Sequence, residues 1–347
     1  MTTVNADRGT NDEGAIVLAA TAGNETAFAT LSRRYRRQLH VHCYRMLGSF
    51  EDAEDVVQES FLRAWQKRET FEGRSSYRSW LYRIATNACL DFLAKHERVV
   101  LESEAHAAQP GISLPPHIPW LQPYPDRLLE QLAPHDWEPD AKVIAKETIE
   151  LAFLVALQFL PPKQRAVLIL CDVLDWSARE TASLLDASVP SVNAALQRAR
   201  ATLRQHEPSR ERHRTPRNDL EIGERALLEQ YVTATERVDT DALARLLRDD
   251  VRSSMPPDPF IVAGRDAVVK SWAEGGFGSP GLNDFKCLVT RANMMPAVAC
   301  YVRGVGASEY RALAIDVLRI EDGLIAEITT FDLAHWLDAF ALPTTLQ

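Results

Sequence analysis

The sequence predicts two all-α helical domains followed by a C-terminal α+β cone. Three observations carry that prediction. Apolar residues recur at three- and four-residue spacing through residues 24–98 and again through 141–206. Between these blocks, residues 99–140 hold eight prolines and only Arg127 against seven acids, a composition that no helix tolerates. From about residue 220 the order becomes helices first and then strand-like runs joined by turn signals.

Composition bounds the chemistry. The 347 residues are enough for two or three cores. The five cysteines, Cys43, Cys89, Cys171, Cys287 and Cys300, are scattered and contain no C-x-x-C pair, which supports neither a disulfide framework nor a zinc site. No metal or cofactor is expected. No apolar run is long enough to cross a bilayer, and the polar segment Met1–Glu13 lacks a leader pattern, so the expected setting is a reducing cytoplasm away from membranes. The net charge of −9 is unevenly spread. Residues 218–347 carry 12 basic against 20 acidic side chains, whereas residues 187–217 carry seven Arg against Glu207 and Glu211. The acidic total therefore conceals one strongly basic stretch.

Taken in order, residues 1–23 are expected to be loosely ordered. The first helical block, 24–98, shows the spacing Phe28, Leu31, Tyr35, Leu39 and later Val57, Phe61, Ala64. Ser49 with Asp52 forms a capping-box-like helix start. Gly73 and Ser75-Ser76 interrupt the pattern before a further helix from near Tyr77. The acidic linker 99–140 should be extended. The second block, 141–206, is broken at Pro161-Pro162 and at Asp186-Ala187-Ser188, and a charged linker follows over 207–219. In 220–347, helices at Glu221 to Val238 and Asp241 to Leu247 precede a third that starts at Gly264-Arg265-Asp266. Strands are expected at Phe285–Thr290, Ala297–Val302, Tyr310–Ile320 and Leu324–Phe331, the last two joined by a hairpin turn at Glu321-Asp322-Gly323.

Three constellations carry function. The segment Ser177 to Leu185 followed by a helix from Ser188 reads as a helix-turn-helix. Ser188 is its N-cap and Pro190 sits in the first turn, where a missing N–H costs nothing. Ser191, Asn193, Gln197, Arg198 and Arg200 are left on the open side, where such a helix meets base edges and phosphates. The competing reading is a plain helical hairpin with a solvated basic face. Glu51, Asp52, Glu54, Asp55 and Glu59 crowd another helix, a face that repels DNA and suits a basic protein surface. After it, residues 61–98 hold eight basic against four acidic side chains, interleaved with Phe71, Tyr77, Trp80 and Tyr82. Aromatic rings beside Arg capture unstacked bases. Phe71 is the better base contact, while Trp80 and Ile84 are expected in the core.

These residues resemble a known family. The runs Asp52-Ala53-Glu54-Asp55-Val56-Val57-Gln58-Glu59, Phe71-Glu72-Gly73-Arg74-Ser75-Ser76 and Trp80-Leu81-Tyr82-Arg83-Ile84-Ala85-Thr86-Asn87 resemble region 2 of the extracytoplasmic-function group of sigma-70 factors. Leu160-Pro161-Pro162-Lys163-Gln164-Arg165 and Leu196-Gln197-Arg198-Ala199-Arg200 resemble region 4. The resemblance implies core RNA polymerase and promoter DNA as partners. Contacts with the β′ clamp would run through Asp52, Asp55, Gln58 and Glu59, and region 4 would meet the β flap. It places −10 recognition at Phe71, Arg74, Ser75, Ser76, Arg83 and Asn87. The −35 element falls to Ser188, Pro190, Ser191, Asn193, Gln197, Arg198 and Arg200. The long tether containing Pro119-Trp120-Leu121-Gln122-Pro123-Tyr124-Pro125-Asp126 is similar to that of a subgroup of the family with mycobacterial members. Its acidity would suit a basic channel built for nucleic acid.

The C-terminal region resembles a SnoaL-like, NTF2-like cone, by pattern rather than signature. Asp258, Glu309, Asp316, Asp332 and His335 are the acid–base groups available to a cup, yet their spacing matches no catalytic set. A non-enzymatic regulatory domain is expected, so no catalytic residue is assigned. The alternatives are a cup that binds or converts a small apolar ligand, and a dimeric helix-turn-helix repressor that needs no polymerase. His40, His42 and Cys43 do not converge as ligands on a helix.

Overall fold

The computed structural model describes residues 6–98, 100, 117–130, 149–206 and 217–347, in two compact units. The helical class and the C-terminal α+β domain both match the expectation.

The first unit contains residues up to 98 and 152–206. It opens with α1 (Ala6–Thr21), α2 (Glu25–Leu47), α3 (Phe50–Gln66) and α4 (Tyr77–Lys95). Residues 1–23 were expected to be loosely ordered; Ala6–Thr21 is helical instead, and residues 1–5 lie outside the described residues. The apolar run of α1 buries Val17 and Ala20 and packs against α2, which offsets the entropy of ordering it. Caps set the other boundaries. Asn24 accepts from the Ala27 N–H at the start of α2. Gly48, at φ +72°, ends that helix in a conformation glycine adopts without strain. Ser49 Oγ accepts from the Asp52 N–H at 3.2 Å and starts α3, and Ser76 Oγ accepts from Ser79 N–H at 3.0 Å and starts α4.

The second helical block follows as α5 (Leu151–Gln158), α6 (Pro162–Leu168), a π-turn over Ile169–Val173, α7 (Ala178–Leu184) and α8 (Val189–His206). The part of the expected block at 141–148 lies outside the described residues. Arg165 joins the two helical blocks. Its guanidinium is buried and donates to Gln158 Oε1 at 2.8 Å, to the Gln158 and Leu160 carbonyls at 3.1 Å, and to the Met46 carbonyl at the end of α2. Burial, then the Arg98 charge, lowers its pKa to about 9.

The second unit contains the described residues 117–130, 149–151 and 217–347. Helices α9 (Arg217–Glu236), α10 (Thr240–Leu246) and α11 (Arg265–Glu274) pack against a sheet ordered β2-β1-β6-β5-β4-β3, with β7 on β5. The strands are β1 (Leu247–Ser254), β2 (Ile261–Ala263), β3 (Phe285–Ala292), β4 (Met295–Val302), β5 (Tyr310–Glu321), β6 (Leu324–Asp332) and β7 (Thr345–Leu346). The hairpin at Asp322-Gly323 is where the turn residues placed it. Strand β1 was not anticipated, because Arg248, Asp249, Asp250 and Arg252 hide its apolar alternation. Those charges are matched across the sheet, Arg248 to Glu321 at 2.8 Å and Arg252 to Glu327 at 3.3 Å. Leu247 and Val251 hold the buried side.

The described part of the linker, 117–130, differs from the expectation of a non-helical, extended strand, and Arg127–Glu130 forms one short helical turn. Residues 117–129 do not stand free as an extended acidic strand; Ile118, Leu121, Tyr124 and Asp126 are buried. The β3–β4 turn clasps them. Asn293 and Met294 both take positive φ, as a two-residue hairpin turn requires. The Asn293 side chain accepts from Tyr124 N–H and donates to the Ile149 carbonyl, both at 2.8 Å. Asp126 accepts from Met294 N–H at 2.7 Å and pairs with Arg291 at 3.3 Å. Arg127 donates to the carbonyls of Ala339 and Asp338, each at 2.6 Å.

Candidate nucleic-acid interface

Helix α7 is fixed by a complete capping box. Ser177 Oγ accepts from Glu180 N–H at 3.2 Å, and Glu180 accepts from Ser177 N–H at 2.9 Å, an arrangement worth about 1 kcal/mol. Ala182 and Val192 meet Val167 in the small core that sets the angle between α7 and α8. Ser188 Oγ accepts from Ser191 N–H at 3.3 Å, the N-cap role its position suggested. Ser188, Pro190, Ser191, Asn193, Gln197, Arg198 and Arg200 are all exposed. The buried seam consists of Val192, Ala199 and Leu203, with Leu196 only half-buried. Arg200 is not free: it holds Asp172 in a bidentate pair at 2.6 and 2.9 Å, so it braces α8 against the π-turn.

The acidic face on α3 divides. Asp55, Gln58 and Glu59 are exposed. Asp52 is half-buried and paired with Arg98, which also donates to the Leu47 carbonyl at the end of α2. Asp52, assigned to the polymerase-binding face, is therefore engaged within the fold rather than freely presented. One exposed apolar residue on this helix was not among the expected contacts. Leu62, 52% exposed, continues the same helical stripe at i+3 and i+4 from Glu59 and Gln58. Its signal was an apolar side chain out of phase with the buried Val57 and Ala64.

In the third cluster, Phe71 is half-buried and meets Tyr77 and Trp80 at 5.5 Å, edge to face. Trp80 is half-buried rather than in the core, and Tyr77 and Tyr82 take the buried places instead. Ile84 is buried as expected. Arg74, Ser75, Ser76 and Arg83 are exposed, and Asn87 is half-buried one turn beyond Arg83. Ser76 caps α4, so its hydroxyl already has a structural task. Arg83 reaches Asp186, in the turn before α8, at 2.7 and 2.9 Å. Beside it, Tyr82 packs on Trp176 with ring centroids 5.6 Å apart. One −10 candidate, Arg83, therefore touches the helix-turn-helix.

Comparison with known proteins decides the family. Sigma-70 region 2 matches residues 31–99, sigma-70 region 4 matches 150–203 and a SnoaL-like domain matches 228–328. The ECF RNA polymerase sigma factor SigG of Mycobacterium tuberculosis is 36% identical over 341 residues, which is 95% of this chain and 89% of that protein. The chain belongs to the extracytoplasmic-function sigma factors. SigW of Bacillus subtilis is 29% identical over 184 residues, 52% of this chain and 89% of SigW. SigJ of M. tuberculosis superposes with a TM-score of 0.56 at 21% identity, covering 91% of this chain and 99% of that one, and thus shares the fold.

As a sigma factor it directs RNA polymerase to promoters. Its relatives are regulators rather than enzymes, although the SnoaL-like fold also includes enzymes. No helix among the described residues is long and apolar enough to cross a membrane. In this sigma factor's cup, Asp258, Glu309, Asp332 and His335 are exposed and only Asp316 is drawn inward. Asp316 accepts from Tyr231 Oη at 3.0 Å and Thr330 Oγ1 at 2.7 Å. Burial raises its pKa, against the pull of those hydrogen bonds. His40 and His42 make separate contacts. His42 Nε2 bonds Thr86 Oγ1 at 2.9 Å, while His40 faces Glu54 and the Phe50 ring.

Proposed function

We propose that this sigma factor binds the β′ clamp through Asp55, Gln58 and Glu59, with Leu62 as the apolar centre and Asp52 holding the helix in place. Region 4 meets the β flap and reads the −35 duplex through Ser188, Pro190, Ser191, Asn193, Gln197 and Arg198, with Arg200 steadying the helix. Phe71, Arg74, Ser75, Arg83 and Asn87 capture the melted −10 strand, and Ser76 orients the loop. Base capture by stacking, about 1–3 kcal/mol per base, offsets the few kcal/mol of unstacking.

The observation that carries this reading is the exposure of every −35 candidate on one capped, packed helix. The Arg83–Asp186 bond adds a second element. The −10 and −35 positions lie about 25 base pairs apart, roughly 85 Å at about 3.4 Å per pair. A form in which Arg83 holds the helix-turn-helix turn cannot occupy both, so we assign it as closed. Polymerase binding then competes with the contact between the two helical blocks. The SnoaL-like domain modulates this balance through the tether it clasps at Tyr124 and Asp126.

Run-off transcription with sigma-free core polymerase on promoter-containing genomic fragments tests the reading. Discrete transcripts sharing −35 and −10 sequences are expected. Tight duplex binding by a dimer without polymerase would instead favour a repressor.

A further inference from the structure

The SnoaL-like domain contains two thiols that scattered cysteines in the sequence did not reveal as a pair. Cys287 on β3 stands directly opposite Cys300 on β4 in the antiparallel register, with Sγ atoms 3.8 Å apart. The Cys287 N–H donates to Glu236 Oε1 of α9 at 2.9 Å and therefore points away from β4. That makes the two a non-hydrogen-bonded pair, in which Cα atoms lie about 4.5 Å apart. Disulfides bridge Cα separations of roughly 4.4–6.8 Å, so side-chain rotation suffices to close the bond.

The two sulfurs have different surroundings. Cys287 is half-buried on β3, the outermost strand of the sheet, whereas Cys300 is buried beneath it. Cys300 Sγ–H donates to Asp316 Oδ2 at 3.7 Å. Its hydrogen bond with Cys287, and then burial, raises the Cys300 thiol well above its ordinary range. Cys300 thus stays protonated, and Cys287 is the sulfur an incoming oxidant meets. Asp316 lies where the Cys300 proton must go.

We propose that Cys287 and Cys300 form a reversible dithiol–disulfide site oxidised by hydroperoxides, with Asp316 as the positioning base for Cys300. In the first step the Cys287 thiolate attacks one peroxide oxygen, the O–O bond breaks, and water leaves after the departing oxygen takes up a proton. Cys287 is then a sulfenic acid. In the second step Cys300 attacks the Cys287 sulfur and gives its proton to Asp316. The S–O bond breaks, and the departing hydroxide takes that proton from Asp316 to leave as a second water. Two thiols and one hydrogen peroxide become one disulfide and two waters. The site lies in the β3–β4 hairpin whose turn clasps the tether.

The test treats the full-length protein with hydrogen peroxide, alkylates remaining thiols with iodoacetamide in denaturant, and digests with trypsin. Cleavage after Lys286, Arg291 and Arg303 places Cys287 in peptide 287–291 and Cys300 in peptide 292–303. The expected product is these two peptides linked, lacking two hydrogens and released by dithiothreitol. Cys43 and Cys89, both enclosed in the helical unit, should be recovered alkylated. With Cys300→Ser, dimedone should trap a sulfenic acid on Cys287, and with Cys287→Ser, Cys300 should remain a thiol. Asp316→Asn should slow linkage about tenfold or more without changing the first step. Recovery of both peptides alkylated from the peroxide-treated wild-type protein would overturn the site. So would irreversible oxidation of Cys287 with Cys300 free. An unchanged linkage rate in Asp316→Asn would remove Asp316 from the step.

Discussion

Asn193 and Gln197 both stand exposed on α8, one turn apart, and neither supports the fold. Asn193→Ala or Gln197→Ala should cost about 1–3 kcal/mol per lost base contact, and only at promoters whose −35 sequence supplies that base. Transcription from a panel of −35 variants checks this; a uniform loss would mean the reading face lies elsewhere. On α3 the acidic residues do not act alike. Asp55→Lys with Glu59→Lys should abolish polymerase binding in a pull-down while leaving the circular dichroism spectrum unchanged and the urea midpoint nearly so, because the exposed Glu59–Arg63 pair it removes is worth about 0.3–0.5 kcal/mol. Asp52→Lys should lower the urea midpoint as well, because it places two cations together beside the Leu47 carbonyl that Arg98 satisfies. Exposure, not acidity, separates the two behaviours.

At the scale of elements, the β3–β4 turn is where the tether is held. Asn293→Ala leaves two backbone groups, the Tyr124 N–H and the Ile149 carbonyl, without their buried partner. Each such group costs about 1–3 kcal/mol. The variant should release residues 117–129, seen as faster proteolytic cleavage there while the sheet keeps its protection from hydrogen exchange. The regular elements themselves were largely legible. Ser49 and Ser188 mark helix starts that the structure confirms atom by atom, and the break at Ser75-Ser76 ends in a Ser76 cap. Strand β1 was not legible, because its ion pairs with β6 and the β5–β6 hairpin exist only once the sheet has formed. The docking of the linker was hidden for the same reason. Prolines and acids describe its stiffness and charge, but not that Asn293, some 170 residues later, receives it.

For the molecule as a whole, the helical unit carries a pH dependence. Burial, then the charges of Arg45 and Arg78, lowers His42 from 6.5 to about 3. Burial, opposed by Glu54, lowers His40 to about 4. Both imidazoles are neutral in the folded unit and take up a proton in the unfolded chain below pH 6.5. The unfolded state then binds more protons, so stability is complete above 6.5 and is lost as pH falls toward those folded values. Each histidine contributes a slope of about 1.4 kcal/mol per pH unit. The urea midpoint of the helical signal should drop between pH 6.5 and 4.5, and His42→Asn should flatten that slope. A midpoint independent of pH over this range would contradict the burial assigned to His42.

Helical period, cap residues, the region 2 and region 4 motifs and the segregated charge determined, from the sequence by itself, the domain classes, the family and most of the side chains expected to meet polymerase and promoter. These are local properties, set by neighbours a few positions away. The pairing of Cys287 with Cys300, the bond from Arg83 to Asp186, the clasp of Asn293 on the tether and the half-burial of Asp52 were decided only by tertiary structure. Each joins residues far apart in the chain, and a hydrogen bond or ion pair depends on separations of a few ångströms that no linear pattern encodes.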